Sequence, residues 1–323
     1  MLKQGGFFFP GQAMQYSKPP LDISAQIQKL QNQGLAFPDM DRAERNLAHI
    51  GYYRLSAYFI PFQKISSDDK PSRTFMPLTT FEDVLNLYIF DRKLRILVME
   101  AIERIEVAVR SQWGNALSLS ENDSHAYMKP ELFKSPSNHA RAIDRLSSEN
   151  EVSKEPFVVH YKQKYTTPFL PPVWAIVETM SFGILSRWFA DTKDAKLKQK
   201  IASALGLPTA EIMETVLHVL TLVRNICAHH GRLWNRRLVL QLPHIKHLAR
   251  QMQYDDKTPG QRQPTRMLCN ILVVMIHIMS VINPGSSWKQ RLRTHIQTLP
   301  SDFHFEMGLP DGWETQKPWS ETP

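Results

Sequence analysis

Residues 209–231 read TAEIMETVLHVLTLVRNICAHHG, and this stretch decides the fold class because its apolar residues recur every three or four positions. Side chains at that spacing line one face of an α-helix. Thr209 is a favourable N-cap, and Gly231 is a favourable residue just past the helix end. The stretch therefore predicts an amphipathic helix. Its buried face is predicted to comprise Ile212, Val216, Val219, Val223, Ile226 and His230.

The opposite face of this helix is polar. At about 100° per residue, Arg224 falls about 100° from the buried stripe, Asn225 about 200° and His229 about 240°. His230 falls within about 20° of the stripe. We therefore predict that His229 lies on the polar face and that His230 lies in the core.

An imidazole, a guanidinium and an amide on one face suit cleavage of RNA without a metal. One imidazole takes the proton from the 2′-OH, and a second protonates the leaving 5′ oxygen. Arg224 would stabilise the phosphorane oxygens, and Asn225 would orient neighbouring groups. No carboxylate cluster accompanies these residues, which argues against a magnesium nuclease and predicts no cofactor. Because Arg224 and His229 stand about 140° apart around the axis, and Ala228 is small, we expect two copies of this face to form one cleft in a homodimer.

The positive charge of the chain is concentrated in one part of the sequence. The chain has 39 Lys and Arg against 31 Asp and Glu, a net charge of +8. Residues 215–301 hold twelve basic and two acidic residues, so this stretch alone carries +10. Cations interleaved with His and Trp are typical of single-stranded RNA binding, and the alternative is a solvated basic surface. The predicted RNA-binding residues are Arg232, Trp234, Arg236, Arg237 and His218.

Patterning divides the chain into four segments. Residues 1–20 are rich in Gly and Pro and are predicted to be a flexible lead-in, followed by an N-terminal helical region over residues 21–78. Residues 79–287 are predicted to form a helical bundle with inserted loops, and residues 288–323 a tail that is basic and then irregular. No alternating strand pattern of useful length occurs. The predicted fold class is therefore all-α.

Caps and periodicity predict several helix boundaries. The longest helix is predicted to begin after Thr79 or Thr80 and to end near Trp113. A single helix is predicted over residues 173–189, and a short one over residues 140–146 between polar loops.

Two carboxylates on the longest helix form a weaker candidate site. Glu103 and Glu106 stand one turn apart, which suits acid/base chemistry. Arg110 follows Glu106 at i+4, so we favour an ion-paired, solvated face instead.

The sequence contains no strong metal or membrane signal. Cys227 and Cys269 both lie in apolar helical patterns and are predicted to be buried free thiols. His244 and His247 form an i, i+3 pair without a nearby thiolate or carboxylate, which is a weak metal signal. No apolar run of about 18 residues and no signal-peptide pattern is present, so we expect no membrane partner and a cytoplasmic location.

The motif residues resemble a known family. The string RNICAH, residues 224–229, matches the R-x4-H motif of HEPN ribonucleases, in which a polar residue follows the Arg. The longer string RNICAHHGRLWNR, residues 224–236, resembles abortive-infection Abi proteins of the AbiD/AbiF type. Further similar strings occur in order between residues 17 and 283: KPPL (18–21), GYYRLS (51–56), FDRKLR (90–95), IERIE (102–106) and PVWA (172–175).

The resemblance implies a HEPN-like helical bundle, usually dimeric, that acts as a metal-independent endoribonuclease toxin in bacterial defence against phage. It implies that Arg224 and His229 are catalytic and that Asn225 supports them. Some relatives work with a small RNA or a protein antitoxin, so either is a candidate partner here. Two rival hypotheses remain: a non-catalytic RNA-binding module, in which Arg224 and His229 only grip phosphate, and a protein-interaction scaffold.

Overall fold

Helices account for most of the chain in the computed structural model, which describes residues 17–65, 71–255 and 263–320. The predicted flexible lead-in, residues 1–20, lies outside these ranges except for residues 17–20. The α-helices are α1 (Ile23–Asn32), α2 (Met40–Ile50), α3 (Tyr52–Phe59), α4 (Phe81–Glu121), α5 (Pro136–Val152), α6 (Pro156–Lys164), α7 (Val173–Thr179), α8 (Phe182–Asp191), α9 (Ala195–Ala204), α10 (Ala210–Ala228), α11 (Leu268–Ile282) and α12 (Trp288–Gln297). The all-α prediction is therefore confirmed.

Strands in the described ranges form two small antiparallel pairs. One pair joins β1 (Gln63–Ile65) to β2 (Pro71–Phe75), with an irregular register. The other joins β3 (Tyr254–Asp255) to β4 (Gln263–Pro264). Pairs of two to five residues per strand do not form a sheet that could organise a core.

The chain divides into two units, residues 1–88 and 89–323. In the first unit, Asp22 and Asp39 accept hydrogen bonds from backbone nitrogens of the first turns of α1 and α2. Gly51 has φ 88°, a conformation that separates α2 from α3 and favours glycine. The buried side chains of this unit include Leu30, Leu47, Leu55, Tyr58, Phe59 and Phe75.

Helix α4 is the longest element, with 41 residues, and at 1.5 Å per residue it is about 60 Å long. Thr80 and Asp83 satisfy each other's backbone nitrogens in a capping box at its start, at 2.8 and 3.2 Å. The predicted end near Trp113 is eight residues short. The helix continues because Gly114 lies against Val173 and Val177 of α7, and Leu117 is buried.

The single helix predicted over residues 173–189 is wrong, because the structure divides it into α7 and α8. Ser181 caps α8 by accepting a hydrogen bond from the backbone nitrogen of Ile184 at 3.4 Å. The carbonyl oxygen of Met180, freed from helical pairing, accepts a hydrogen bond from Arg110 at 2.9 Å. The short helix predicted over residues 140–146 is longer at both ends in the structure. It is α5, and Ser135 is its N-cap.

Helix α11 lies in the core of the second unit. Eleven of its fifteen residues are buried, so it is surrounded on all sides, as expected for a helix that is apolar all round. Helix α12 packs on the same unit's part of α4, where the indole nitrogen of Trp288 donates to the carbonyl oxygen of Leu97 at 2.7 Å. His295 stacks on Phe90 with ring centroids 4.5 Å apart.

Candidate functional site on helix α10

Helix α10 is held along one face by α8 and α9. Thr209 caps it as predicted, accepting from the backbone nitrogen of Ile212 at 3.2 Å. A Cβ atom on Gly183 of α8 would lie 3.1 Å from Thr221, so this contact between the two helices is close. On the α9 side, Glu214 pairs with the buried Lys198 and with Lys134. Burial lowers the pKa of Lys198, and the hydrogen bond to Glu214 opposes that shift.

The helix ends in a Schellman motif that gives the two adjacent histidines different backbone conformations. His229 is the C-cap with φ −89°, and His230 adopts the left-handed conformation with φ 57°. The backbone nitrogen of His230 donates to Cys227 at 3.0 Å, and that of Gly231 donates to Ile226 at 2.8 Å. The left-handed residue is thus His230, whereas the sequence predicted the stop at Gly231.

The prediction that His230 lies in the core is wrong. Its side chain is exposed, because the left-handed backbone takes residue 230 out of the helical period on which that prediction relied. His229 is exposed, as predicted. Two neighbouring imidazoles therefore reach solvent at this end of α10.

Arg224 and Asn225 lie one turn before the histidines and also reach the surface. Asn225 is exposed, and Arg224 is half-buried. A guanidinium nitrogen of Arg224 donates to the side-chain oxygen of Asn225 at 3.3 Å. Among the described residues, no carboxylate lies within ion-pair distance of Arg224, so most of its donors remain available to an anion.

Glu106 of α4 lies within the electrostatic reach of Arg224. Burial raises the pKa of the Glu106 carboxyl, and the positive charges of Arg110 and Arg224 oppose that shift. Glu106 pairs with Arg110, which also contacts Glu178 at 3.3 Å. The ion pair expected at Glu106 is confirmed, but the expected solvated face is not, because Glu106 is buried.

The loop that follows the motif is held by a buried ion pair that was not predicted from the sequence. Asp91 and Arg95 of α4 pair with each other, and both are buried. Asp91 accepts hydrogen bonds from the backbone nitrogens of Leu233 at 3.2 Å and Trp234 at 2.8 Å. Arg95 donates to the carbonyl oxygen of Gly231 at 3.3 Å.

A sequence signal for this pair was present. Positions 91 and 95 fall on the same stripe of α4 as the buried Leu87, Leu94 and Val98, where charged residues are unusual unless they are paired. The pair is also electrostatically close to Cys227 on α10. The pKa of that thiol is raised to about 12, first by burial and further by the charge of Asp91. Helix α4 therefore holds the residues that follow α10, from Gly231 to Trp234.

Comparison with known families identifies the chain. A profile of the Abi-like protein family matches residues 45–235, which is more than half of the sequence. The chain belongs to the Abi-like family. No curated protein and no solved structure shows a significant match to this Abi-like chain. Membership of the family indicates abortive-infection defence against phage as the biological setting.

The family match covers the motif helix of this Abi-like protein and ends before Arg236 and Arg237. It contains α10, the Asp91 and Arg95 pair on α4, and the loop as far as residue 235. No helix in the described ranges could span a bilayer, because none combines sufficient length with sufficient apolar character. The described side chains also include no group of three or more His, Cys, Asp or Glu placed to bind a metal ion together.

The predicted RNA-binding residues of the Abi-like chain differ in accessibility. His218, Arg236 and Arg237 are exposed, and Arg232 is half-buried. Trp234 is fully buried and packs edge-on against Phe303, with ring centroids 5.7 Å apart. Its ring is therefore not available to stack on a base. The tryptophan anchors the loop that presents the arginines.

Proposed function

We propose that the protein is a metal-independent endoribonuclease toxin of the HEPN type that acts in abortive infection. One observation carries this proposal: Arg224, Asn225 and His229 reach the surface together at one end of α10. Because Arg224 makes no ion pair among the described side chains, it is free to bind a phosphate. The family match supplies the setting of phage defence, and the R-x4-H motif supplies the chemistry.

The reaction is an internal transesterification of RNA. The imidazole of His229 takes the proton from a 2′-OH, and the 2′ oxygen attacks the adjacent phosphorus. Arg224 stabilises the negative charge on the phosphorane oxygens. The bond from phosphorus to the 5′ oxygen then breaks, and an imidazolium protonates that oxygen. The products are a 2′,3′-cyclic phosphate end and a 5′-hydroxyl end.

The second imidazole has two candidate sources. Arg224 and His229 are separated by about 140° around the helix axis and by about 7.5 Å along it. A second copy of the chain in a homodimer would bring another His229 to the same cleft. The exposure of His230 offers the other source, an imidazole on the same chain.

Labelled single-stranded RNA incubated with the purified protein in EDTA tests the proposal. We expect cleavage to 2′,3′-cyclic phosphate ends that is lost in His229→Ala and Arg224→Ala. His49→Ala is a matched control, because His49 is an exposed histidine that belongs to α2 and not to the motif helix. RNA bound at full strength but never cut would overturn the enzyme in favour of a non-catalytic RNA-binding module. No RNA affinity at low salt would favour the protein scaffold.

Mixing active and inactive chains tests the dimer. If one cleft needs His229 from both copies, wild-type chains refolded with an excess of His229→Ala chains should lose activity, because each mixed dimer contains only one His229. Activity that stays proportional to the amount of wild-type chain, together with loss of activity in His230→Ala, would assign the second imidazole to His230. The same His229→Ala variant should also lose protection in a phage plating assay.

A further inference from the structure

A concave site lies between α5 and α8, within the unit of residues 89–323. The cavity has a volume of about 560 Å³, which is within the usual range of sites for small organic ligands. Side chains spaced about one turn apart along each helix line the cavity. They include Asn138, Arg141 and Arg145 from α5, and Ile184, Arg187 and Trp188 from α8.

The lining is strongly positive. It contains three guanidinium groups, whereas the described lining has one carboxylate, that of Asp191. Arg145 pairs with Glu149 at 2.8 Å. Arg141 donates to Asn138 at 2.6 Å, and Arg187 donates to the carbonyl oxygen of Gly183 at 3.1 Å. Neither of these two has a carboxylate within ion-pair distance in the described ranges, so each retains several unused donors.

This positive charge does not follow from the overall charge of the chain. The excess charge of the sequence belongs to residues 215–301, and the cavity is built from residues 138–191. Three arginines directed to one cavity by two separate helices are a local arrangement. Paired N–H groups of guanidinium bind phosphate oxygens in a bidentate manner.

The remaining lining is apolar and aromatic. Leu146 and Ile184 contribute aliphatic surface, and Trp188 is held rigidly because Phe133 and His139 pack edge-on against its ring. An arginine that does not bind phosphate can also stack on a planar base. The side-chain N–H groups of Asn138 can donate to the edge of a base, while its oxygen accepts from Arg141. The cavity thus combines groups for an anion with groups for a flat heterocycle.

The cavity is separate from the motif residues. The backbone nitrogen of Lys134 donates to the carbonyl oxygen of Asp191 at the cavity, at 2.8 Å. The side chain of Lys134 lies 3.6 Å from Glu214 of α10. Glu214 precedes Arg224 by ten residues, which is about 15 Å of helix.

We propose that the cavity between α5 and α8 binds a nucleoside 5′-phosphate, with Arg141 and Arg187 holding the phosphate. The ligand is either a free mononucleotide or the phosphorylated 5′ end of an RNA, which present the same phosphate and base. This site does not depend on RNA cleavage at His229, so it stands or falls separately from the endoribonuclease activity.

Isothermal titration of the full chain with each of the four 5′-mononucleotides tests the proposal. We expect at least one of them to bind. If that nucleotide is 5′-AMP, adenosine alone and inorganic phosphate alone should each bind more than tenfold more weakly than 5′-AMP. Arg141→Ala/Arg187→Ala should weaken binding at least tenfold. Arg45→Ala/Lys196→Ala removes the same charge from exposed positions outside the cavity and should leave binding unchanged.

A cavity-filling variant tests the site without changing its charge. Ala142→Trp keeps all three arginines and should also abolish binding, provided that its thermal unfolding matches that of the wild-type chain. No binding of any mononucleotide or of 5′-phosphorylated RNA at millimolar concentration would overturn the proposal. Binding that survives in both the double variant and Ala142→Trp would do the same.

Competition identifies the source of the ligand. An RNA oligonucleotide with a 5′-phosphate should displace the mononucleotide, and the same RNA with a 5′-hydroxyl should not. If the phosphorylated RNA binds more tightly than the free nucleotide, the site is assigned to RNA ends. Tighter binding of the free nucleotide assigns it to a small-molecule ligand. These measurements use His229→Ala, so that cleavage does not consume the RNA.

Discussion

The carboxylate of Asp91 lies 2.8 Å from the backbone nitrogen of Trp234, although the two residues are 143 positions apart in the sequence. This contact ties the loop after the R-x4-H motif to α4. It is reinforced by Arg95, which pairs with Asp91 and reaches Gly231 in the same loop. The position of the loop arginines therefore depends on a buried pair of charges outside α10.

Replacing Asp91 with Asn should be strongly destabilising. It leaves Arg95 buried without its carboxylate, and breaking such a pair costs about 3–5 kcal/mol of unfolding free energy. Urea unfolding followed by circular dichroism measures the change. Glu82→Gln is the control, because its pair with Arg42 is partly exposed and removal should cost about 1 kcal/mol or less. Equal losses in the two variants would contradict the role assigned to Asp91.

The left-handed backbone at residue 230 predicts a preference for glycine. His230→Gly and His230→Ala both remove the imidazole, so the difference between them reports the strain of a Cβ atom at φ 57°. We expect the Gly variant to be more stable than the Ala variant by about 1 kcal/mol. The same comparison at His229, where φ is −89°, should show no advantage for Gly. An equal advantage at both positions would mean that residue 230 is not left-handed in solution.

Both thiols should be slow to react in the folded protein. Burial raises the pKa of Cys227 and of Cys269 to about 12, so little thiolate is present at pH 8 and access is blocked. A thiol reagent such as DTNB should label both residues quickly in guanidinium chloride and slowly without it. Rapid labelling of one thiol in the native chain would show that its helix is not packed as described.

His295 should make stability depend on pH below neutrality. Burial lowers its pKa from the ordinary 6.5, and the hydrogen bond to the carbonyl oxygen of Phe90 partly opposes that shift. As the pH falls through 6.5, His295 is protonated in the unfolded chain before it is protonated in the folded chain. The free energy of unfolding that His295 contributes is therefore present above pH 6.5 and is lost as the pH falls towards the lower pKa of the folded chain. Thermal unfolding of wild-type and His295→Gln chains between pH 7.5 and 5.0 measures the effect. The wild-type curve should fall more steeply, and parallel curves would contradict the assignment.

The exposed arginines after the motif should control the salt dependence of RNA binding. Arg236→Ala/Arg237→Ala removes two exposed cations from the loop anchored by Trp234. If both contact phosphates, the slope of log K against log salt should decrease in magnitude by about 1.4 for single-stranded RNA. Filter binding at several salt concentrations gives the slope. Lys64→Ala/Arg73→Ala, at exposed positions on β1 and β2 in the first unit, is the charge-matched control and should leave the slope unchanged.

Much of the fold could be predicted from the sequence because local patterns decide it. The apolar period of α10 and its Thr209 cap were sufficient to define that helix. The division between α7 and α8 was missed because it depends on a tertiary contact: Arg110 pairs with the carbonyl oxygen of Met180. The Ser181 cap was visible in the sequence, but the apolar period runs through it.

The candidate site was predicted in part. The exposure of His229 followed from helical geometry, and the position of His230 did not, because one left-handed residue breaks the period. The roles of Arg224, Asn225 and His229 in catalysis stay predictions. The contacts of Asp91 could not be predicted, since periodicity along α4 does not say which distant backbone will meet a buried carboxylate.

The Asp91 contact also has a consequence for the order in which the protein is assembled. During synthesis, α4 is made long before residue 234. The carboxylate of Asp91 therefore has no loop to bind until most of the chain has been synthesised. Such distant pairings form late and slowly compared with local helices. A prematurely ended chain has the carboxylate without the loop, and a fragment starting at α10 has the loop without the carboxylate. Only a polypeptide that contains both α4 and the loop can organise the residues that follow the motif.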